Sequence, residues 1–168
     1  MALHFQQYSS PIGVLCIAAD ESNLRAVLFR NAWWEWQQSA GPISEADSPL
    51  LLETRRQLDQ YFAGDRTGFE LPYKLCGTPF QLRVWNTLLT IPFGSTRSYT
   101  DQAVALRSPH ASRAVGRANG LNPLCVVVPC HRVVGSNGDL SGYAGGMAAK
   151  KILLALEWAA ARDKQEAL

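Results

Sequence analysis

From His4 to Phe29 the chain runs in short apolar stretches broken by polar turns. "HFQQYSSPIGVLCIAADESNLRAVLF" predicts two or three strands. The turn chemistry lies at Ser10-Pro11-Ile12-Gly13 and at Glu21-Ser22-Asn23. The period then changes. In "SPLLLETRRQLDQYFAG", Leu51, Leu58, Tyr61 and Phe62 recur at helical spacing, with Ser48 as N-cap, Pro49 at the first helical position and Gly64 after the last turn. Residues 1–75 therefore predict a small α/β unit, an antiparallel sheet plus a helix. "DRTGFELPYKLCG" is polar and irregular and reads as a connector.

The pattern after residue 76 is mostly helical. "TPFQLRVWNTLLTIPFG" opens with Thr78 as cap and Pro79 behind it, and Phe80, Val84, Trp85 and Leu88 form its apolar stripe. "SYTDQAVALRS" is a short helix in which Ser98 and Asp101 have capping-box spacing. "SPHASRAVGRANG" is a second short helix, capped by Ser108 and closed by Gly120. "PLCVVV" predicts a strand, because Val128 precedes a proline and is pushed extended. "GSNGDLSGYAGG" is a glycine-rich loop, and "AAKKILLALEWAA" is the last helix. Residues 76–168 thus predict a mainly helical second domain.

Composition narrows the class. The hydrophobic share is 47% and the charged share 18%, as in soluble globular chains. No run approaches the length of a membrane span, and the N-terminus lacks the pattern of a secretory signal. The four cysteines, Cys16, Cys76, Cys125 and Cys130, form no CxxC pair. Together these features predict a cytoplasmic protein with free thiols and no bound metal or other cofactor.

Charge is uneven. Residues 1–75 carry six Lys/Arg against nine Asp/Glu, whereas residues 76–150 carry seven against two. A basic half of this kind suits either a phosphate-bearing partner or a solvated face. The two short helices joined by "ALRSP" form a candidate helix-turn-helix. Its second helix carries small residues (Ala111, Ala114, Gly116, Ala118) and has Arg113 and Arg117 four apart on one face. Ser112 and Asn119 are its candidate base readers. An alanine-rich structural helix with two solvated arginines would look the same.

Within "LCVVVPCHRVVG" the apolar run ends by setting Cys130, His131 and Arg132 side by side. A thiol needs a neighbouring base or cation to react at neutral pH. Adjacent side chains on an extended chain point to opposite faces, so His131 would act around a turn or through a water. The acids between residues 76 and 160 are Asp101, Asp139 and Glu157. For a lone cysteine at a strand end, packing is the competing explanation, and Cys16, Cys76 and Cys125 take that reading. Core or loop packing is likewise expected of the Trp33–Trp36 stretch, "WWEW".

The blocks "IPFGSTRSYTDQA", "SRAVGRAN", "NP", "VVVPCHRVVGSNGDLSGYAGG" and "KKILLALE" occur in an order and spacing that resemble the O6-alkylguanine-DNA alkyltransferases of the bacterial constitutive type. These proteins are also called methylated-DNA–protein-cysteine methyltransferases. The blocks cover most of residues 79–157, whereas residues 1–75 match the family only loosely. The resemblance implies a winged-helix-like second domain and a single-use reaction. Cys130 would take an alkyl group from guanine O6 (and from thymine O4) as a thioether. His131 would act through a water as base, oriented by Glu157. Asn122 would hold the turn around the cysteine. Tyr99 would rotate the target's phosphate and protonate the leaving guanine. Arg113 would enter the duplex, and Ser112, Ala114 and Arg117 would lie against DNA. Val133, Tyr143 and Ala144 would line the guanine pocket. The implied partner is duplex DNA carrying alkylated guanine, bound by a monomer through the minor groove.

The chain departs from some members. Cys16, Cys76 and His4 do not make a zinc set, and Ala144 stands where relatives carry a hydroxyl. A binder of alkylated DNA without an acceptor, a winged-helix regulator using Cys130 as a sensor, and a turnover thiol hydrolase are the competing functions. The first would lack Cys130, the second would need a selective operator, and the third would turn over repeatedly.

Overall fold

The computed structural model describes residues 2–140 and 142–168. Strands β1 (Leu3–Ser10), β2 (Gly13–Ala19) and β3 (Leu24–Phe29) form an antiparallel meander. Helix α1 (Arg30–Ala40), strand β4 (Ile43–Glu45) and helix α2 (Pro49–Phe62) follow. The sheet order is β3-β2-β1-β4, and β4 lies parallel to β1, so the predicted antiparallel sheet is in fact mixed. The parallel pairing is possible because α1 carries the chain back across the sheet before β4 begins.

Helix α1 was not expected from the sequence. No side chain caps its start, and what stabilises it is packing. Trp33 is buried, lies 5.1 Å from the Phe5 ring and stacks on Trp36 at 5.3 Å. The two tryptophans are three apart, one helical turn, so one face meets the sheet while Trp34 faces solvent. The packing expectation holds for Trp33 and Trp36, and fails for Trp34.

The second half contains α3 (Pro79–Leu88), α4 (Tyr99–Ala105), α5 (Ser112–Gly120) and α6 (Gly146–Glu166). A two-stranded parallel sheet, β5 (Arg97–Ser98) with β6 (Val133–Val134), lies beside α4. Caps fix the register. Thr78 and Gln81 make a reciprocal capping box on α3, and Ser98 and Asp101 make one on α4. Helix α5 begins at Ser112 rather than at the Ser108 cap, since Ser108 is spent in the turn that receives the Ala111 N–H. Trp85 anchors α3 to α5 by donating from Nε1 to the Ala118 carbonyl at 2.8 Å.

The predicted strand over 123–128 is the largest local error. Leu124 makes one parallel bridge to Val27 of β3, and the chain then turns. Val126 has φ of 71°, and the Val127 N–H donates to the Cys125 carbonyl at 2.8 Å, a γ-turn. A second γ-turn follows at Pro129 (φ −84°, ψ 66°), closed by the Cys130 N–H on the Val128 carbonyl at 2.9 Å. The valines are apolar because this turn is buried, and burial alone does not make a strand. One core runs through both halves. The Val27–Leu124 bridge and the Tyr61–Glu157 hydrogen bond cross between them.

Candidate active site and nucleic-acid interface

Two γ-turns deliver Cys130 to the start of a single 3-10 turn, Cys130–Arg132. Successive side chains of that turn stand about 120° apart, rather than on the opposite faces of an extended chain. Asn122 holds it from below. Its Nδ2 donates to the Val128 carbonyl at 2.8 Å, and its Oδ1 accepts from the Leu124 N–H at 3.0 Å.

Cys130 is 5% exposed. The Cys125 side chain, Asn122 and the Lys150 ammonium together outweigh burial and hold Cys130 below the ordinary thiol value. Cys125 is pushed up by its interaction with Cys130 and by burial, and its thiol donates to the Asn122 carbonyl at 3.7 Å. Cys125 is buried core, as expected, and it also bears electrostatically on Cys130. Cys16 is buried in β2, but Cys76 is exposed and takes a hydrogen bond from Arg25 at 3.4 Å, so packing is the wrong reading there.

His131 is wholly buried. Its Nε2 stands 2.7 Å from Glu157 Oε1. Facing a carboxylate, Nε2 carries the proton, and in the neutral ring Nδ1 is left with a lone pair. Nδ1 is buried, and among the described residues no hydrogen-bond partner reaches it. Burial favours the neutral ring and lowers its pKa below 6.5, although Glu157 pulls the other way. Burial alone would raise Glu157, but His131 and Arg132 reverse that and bring it to about 2. The cluster is thus a carboxylate beside a neutral imidazole whose free nitrogen can accept a proton.

Glu157 sits at the centre of a dense set of donors. Arg132 reaches it from Nε (2.9 Å to Oε2) and from Nη2 (2.9 Å to Oε1), the Gly94 N–H lies 3.3 Å from Oε2, and the Tyr61 hydroxyl donates to Oε1 at 2.7 Å. Lys150, also fully buried, donates to the Val133 carbonyl at 2.5 Å and lies 5.6 Å from the centre of the Tyr99 ring. Burial lowers the Lys150 pKa, and the Cys130 and Asp139 charges partly restore it.

Tyr99 opens α4 and stands between two elements. Its ring faces Gly116 of α5, where a Cβ would sit 3.6 Å away, and its hydroxyl comes within 3.2 Å of a Cβ at Gly142 in the glycine-rich loop. Burial raises the Tyr99 pKa, so the hydroxyl stays protonated at neutral pH. Tyr143 meets Phe29 edge-on at 5.6 Å, and its buried hydroxyl finds no partner among the described residues. The Ala144 carbonyl accepts from Asn31 of α1 at 3.0 Å, so the loop is tied to the other half of the chain. Gly145 permits this. A Cβ there would collide with the Phe29 ring.

Helix α5 shows the opposite character. Arg113 and Arg117 are exposed, and Ser112 and Ala114 are half-buried near its start. Asn119, a candidate base reader, points inward instead. It exchanges hydrogen bonds with Gln102 of α4 at 2.7 and 3.2 Å. That amide pair fixes the angle between the two helices of the helix-turn-helix.

The structure therefore gathers Cys130, His131, Glu157, Asn122, Val133, Tyr99 and Tyr143 around one turn, with Arg113 and Arg117 on the outer face of α5. Sequence reasoning missed Lys150 and Tyr61 as parts of the cluster, and did not pair Arg132 with Glu157. For Lys150 a signal existed. Lys150, Leu153, Leu154 and Glu157 follow the 3–4 spacing of one buried helical stripe, and two of the four are charged.

Residues 3–75 match the family description "6-O-methylguanine DNA methyltransferase, ribonuclease-like domain", and residues 79–159 match "6-O-methylguanine DNA methyltransferase, DNA binding domain". The chain is 42% identical over 163 residues to the constitutive methylated-DNA–protein-cysteine methyltransferase of Bacillus subtilis, covering 96% of this chain and 99% of that one. It is 41% identical to the Methanosarcina acetivorans methylated-DNA–protein-cysteine methyltransferase over 155 residues, covering 92% and 98%. Among solved structures it is similar to the Mycobacterium tuberculosis OGT in complex with DNA. That match has a TM-score of 0.84 at 42% identity and covers 95% of this chain and 94% of the other.

Proposed function

The chain belongs to the 6-O-methylguanine DNA methyltransferase family, and from that premise we propose that Cys130 is its alkyl acceptor. The protein repairs DNA by direct transfer of an alkyl group to a cysteine of its own chain. On this reading the substrate is O6-alkylguanine, and also O4-alkylthymine, in duplex DNA. A monomer in the cytoplasm binds that duplex through the minor groove. Among the described residues no helix is long and apolar enough to cross a membrane. Residues 1–75 are the sheet domain, and residues 76–168 the DNA-binding and acceptor domain.

The observation that carries the reading is the buried, unpartnered Nδ1 of His131 in the same 3-10 turn as Cys130. The Cys130 proton passes through a water to Nδ1, and Glu157 stabilises the imidazolium that forms. The thiolate attacks the alkyl carbon. The S–C bond forms as the C–O6 bond breaks, and the electron pair stays with the guanine. Tyr99, kept protonated by burial, gives that leaving base a proton. The thioether cannot be hydrolysed, so each protein acts once.

The acceptor is buried and the target atom lies inside a base stack, so the nucleotide must be rotated out. Arg113 fills the gap it leaves. The small residues of α5, with Ser112, Ala114 and Arg117, let the helix approach the backbone. Val133, Tyr143 and Ala144 line the pocket that receives the base.

Incubation with a duplex carrying O6-methylguanine should add one methyl mass to the peptide containing Cys130, one per protein. Cys130→Ala should lose transfer and keep DNA binding. An unmodified Cys130 peptide after complete incubation refutes the acceptor role, and repeated turnover points to a hydrolase instead.

A further inference from the structure

The carboxylate that orients His131 is held by both halves of the chain. Tyr61 lies on α2, in the sheet half, and its hydroxyl donates to Glu157 Oε1 at 2.7 Å. The same oxygen receives His131 Nε2 at 2.7 Å and Arg132 Nη2 at 2.9 Å. We propose that Tyr61 is a positioning residue of the transfer reaction. Its hydroxyl shares the Glu157 charge with His131 and so sets how tightly His131 holds a proton. The proposal rests on the reading of His131 as the base that takes the Cys130 proton.

Three observations support it. The Tyr61 ring cannot swing away, because Phe62, Phe69 and Phe93 surround it at 5.3, 5.5 and 6.2 Å. A phenylalanine would fill that apolar cage without bringing in a polar atom, and a buried hydroxyl is costly unless it is bonded. Here its bond goes to the one oxygen that also serves the imidazole. Donors to a shared oxygen compete. Each added donor spreads the negative charge and weakens the pull on the others.

The groups around His131 define the sign. Glu157 and Lys150 face it from α6, Arg132 from its own turn, and Tyr61 stands behind Glu157 from α2. Arg132 and Lys150 oppose protonation of the ring and Glu157 favours it. Removing the Tyr61 hydroxyl leaves Glu157 more negative toward His131. The imidazolium is then more stable, and the neutral base is lost at a higher pH.

Tyr61→Phe keeps the ring in its cage. The acid limb of the rate of Cys130 methylation against pH should move up by roughly half a unit to one unit, as expected for part of one hydrogen bond to a charged group. The His131 ring titration, followed by nitrogen NMR, should move by the same amount. Site-specific 3-fluorotyrosine at position 61, a stronger donor of nearly the same shape, should move both the opposite way. It also tests the idea if the phenylalanine variant does not fold. An acid limb and a His131 titration that stay in place in these variants overturn the proposal, even if the rate falls equally at every pH, since that is what a packing defect would do. If the unsubstituted protein never methylates Cys130, the acceptor reading fails instead. The NMR titration still reports on Tyr61 in that case.

Discussion

The surroundings of Glu157 and the outer face of α5 both hold arginine, yet they use it in opposite ways. Arg132 is buried, and each nitrogen of its guanidinium donates, Nε and Nη2 to Glu157 and Nη1 to the Ile91 carbonyl. Arg113 and Arg117 are exposed, on a helix whose inward face is fixed by the Asn119–Gln102 pair. Removing charges from water is worthwhile only when every partner is in place, so the first region is rigid and intolerant of loss. Exposed cations cost little and bind phosphate in proportion to their number, so the second is permissive and salt-sensitive. The reaction needs both kinds of surroundings. The thiol must be tuned in a dry, fixed setting, and the duplex must be met by side chains free to rearrange.

The comparison breaks most visibly at Glu157. Glu157→Ala strands the Arg132 guanidinium and the Tyr61 hydroxyl in the interior, and should cost about 3–5 kcal/mol in urea unfolding. Acid should do part of the same to the unsubstituted protein. The Glu157 pKa, about 2 against an ordinary 4.5, marks a group whose charged form the fold prefers. Its contribution, on the order of 3 kcal/mol, is present above pH 4.5 and lost as pH falls toward 2. His131 acts in the same direction and begins earlier. Its pKa is lowered from 6.5, so below that value the unfolded chain gains a proton first. In Glu157→Ala the loss of stability between pH 4.5 and 2 should shrink, leaving the part due to Asp20, Glu53 and Asp101, whose partners also lower their pKa. A variant as stable as the parent at pH 7 would show that the cluster is not held as described.

Arg113→Ala tests the other region. Arg113 is exposed on α5, and alanine favours a helix, so the unfolding midpoint should stay within about 0.5 kcal/mol of the parent. Transfer from an alkylated duplex should slow at least about tenfold, roughly 1.4 kcal/mol of barrier. Transfer from free O6-alkylguanine should be unchanged. Equal losses on both substrates would place Arg113 in the chemistry rather than in the opening of the duplex.

How much of this was legible in the sequence differs between the two regions for a physical reason. Helices α2, α3 and α4 were readable because their caps, Ser48, Thr78 and Ser98, satisfy orphan backbone donors through local hydrogen bonds. The outer face of α5 was readable because small residues and arginines at helical spacing are also local. The turn at 124–130 was not. Nothing local marks Val126 for a positive φ, which a β-branched residue rarely adopts; it occurs where the residue is buried in the core. The Glu157 cluster was half legible. The family resemblance pairs His131 with Glu157, but Tyr61 lies 96 positions from its partner, and no spacing rule connects them. Helix α1 was missed because it has no capping signal, only contacts to β1 that exist once the sheet has formed.

The smallest effect sharpens the comparison at backbone level, because each region holds one non-glycine residue at positive φ. Val126 is buried and Arg107 exposed. Arg107, with φ of 57°, ends α4 in the turn of the helix-turn-helix. Its N–H donates to the Val104 carbonyl, and the Ser108 N–H donates to the Ala103 carbonyl, both at 2.9 Å. That is the Schellman pattern, and Arg107 holds the position glycine usually takes. A left-handed residue with a Cβ costs about 1–2 kcal/mol, whereas glycine gives back about 0.5–1 kcal/mol in unfolded-state entropy. Arg107→Gly should therefore stabilise the protein by about 0.5–1 kcal/mol and raise Tm by roughly 1–4 °C. The same substitution at Val126 would also remove a buried side chain, which offsets any relief of strain. The rate of transfer from free O6-alkylguanine should not change in Arg107→Gly, because the turn touches none of the groups around Cys130. A lower Tm would mean that the arginine side chain, and not the backbone, is what the turn depends on.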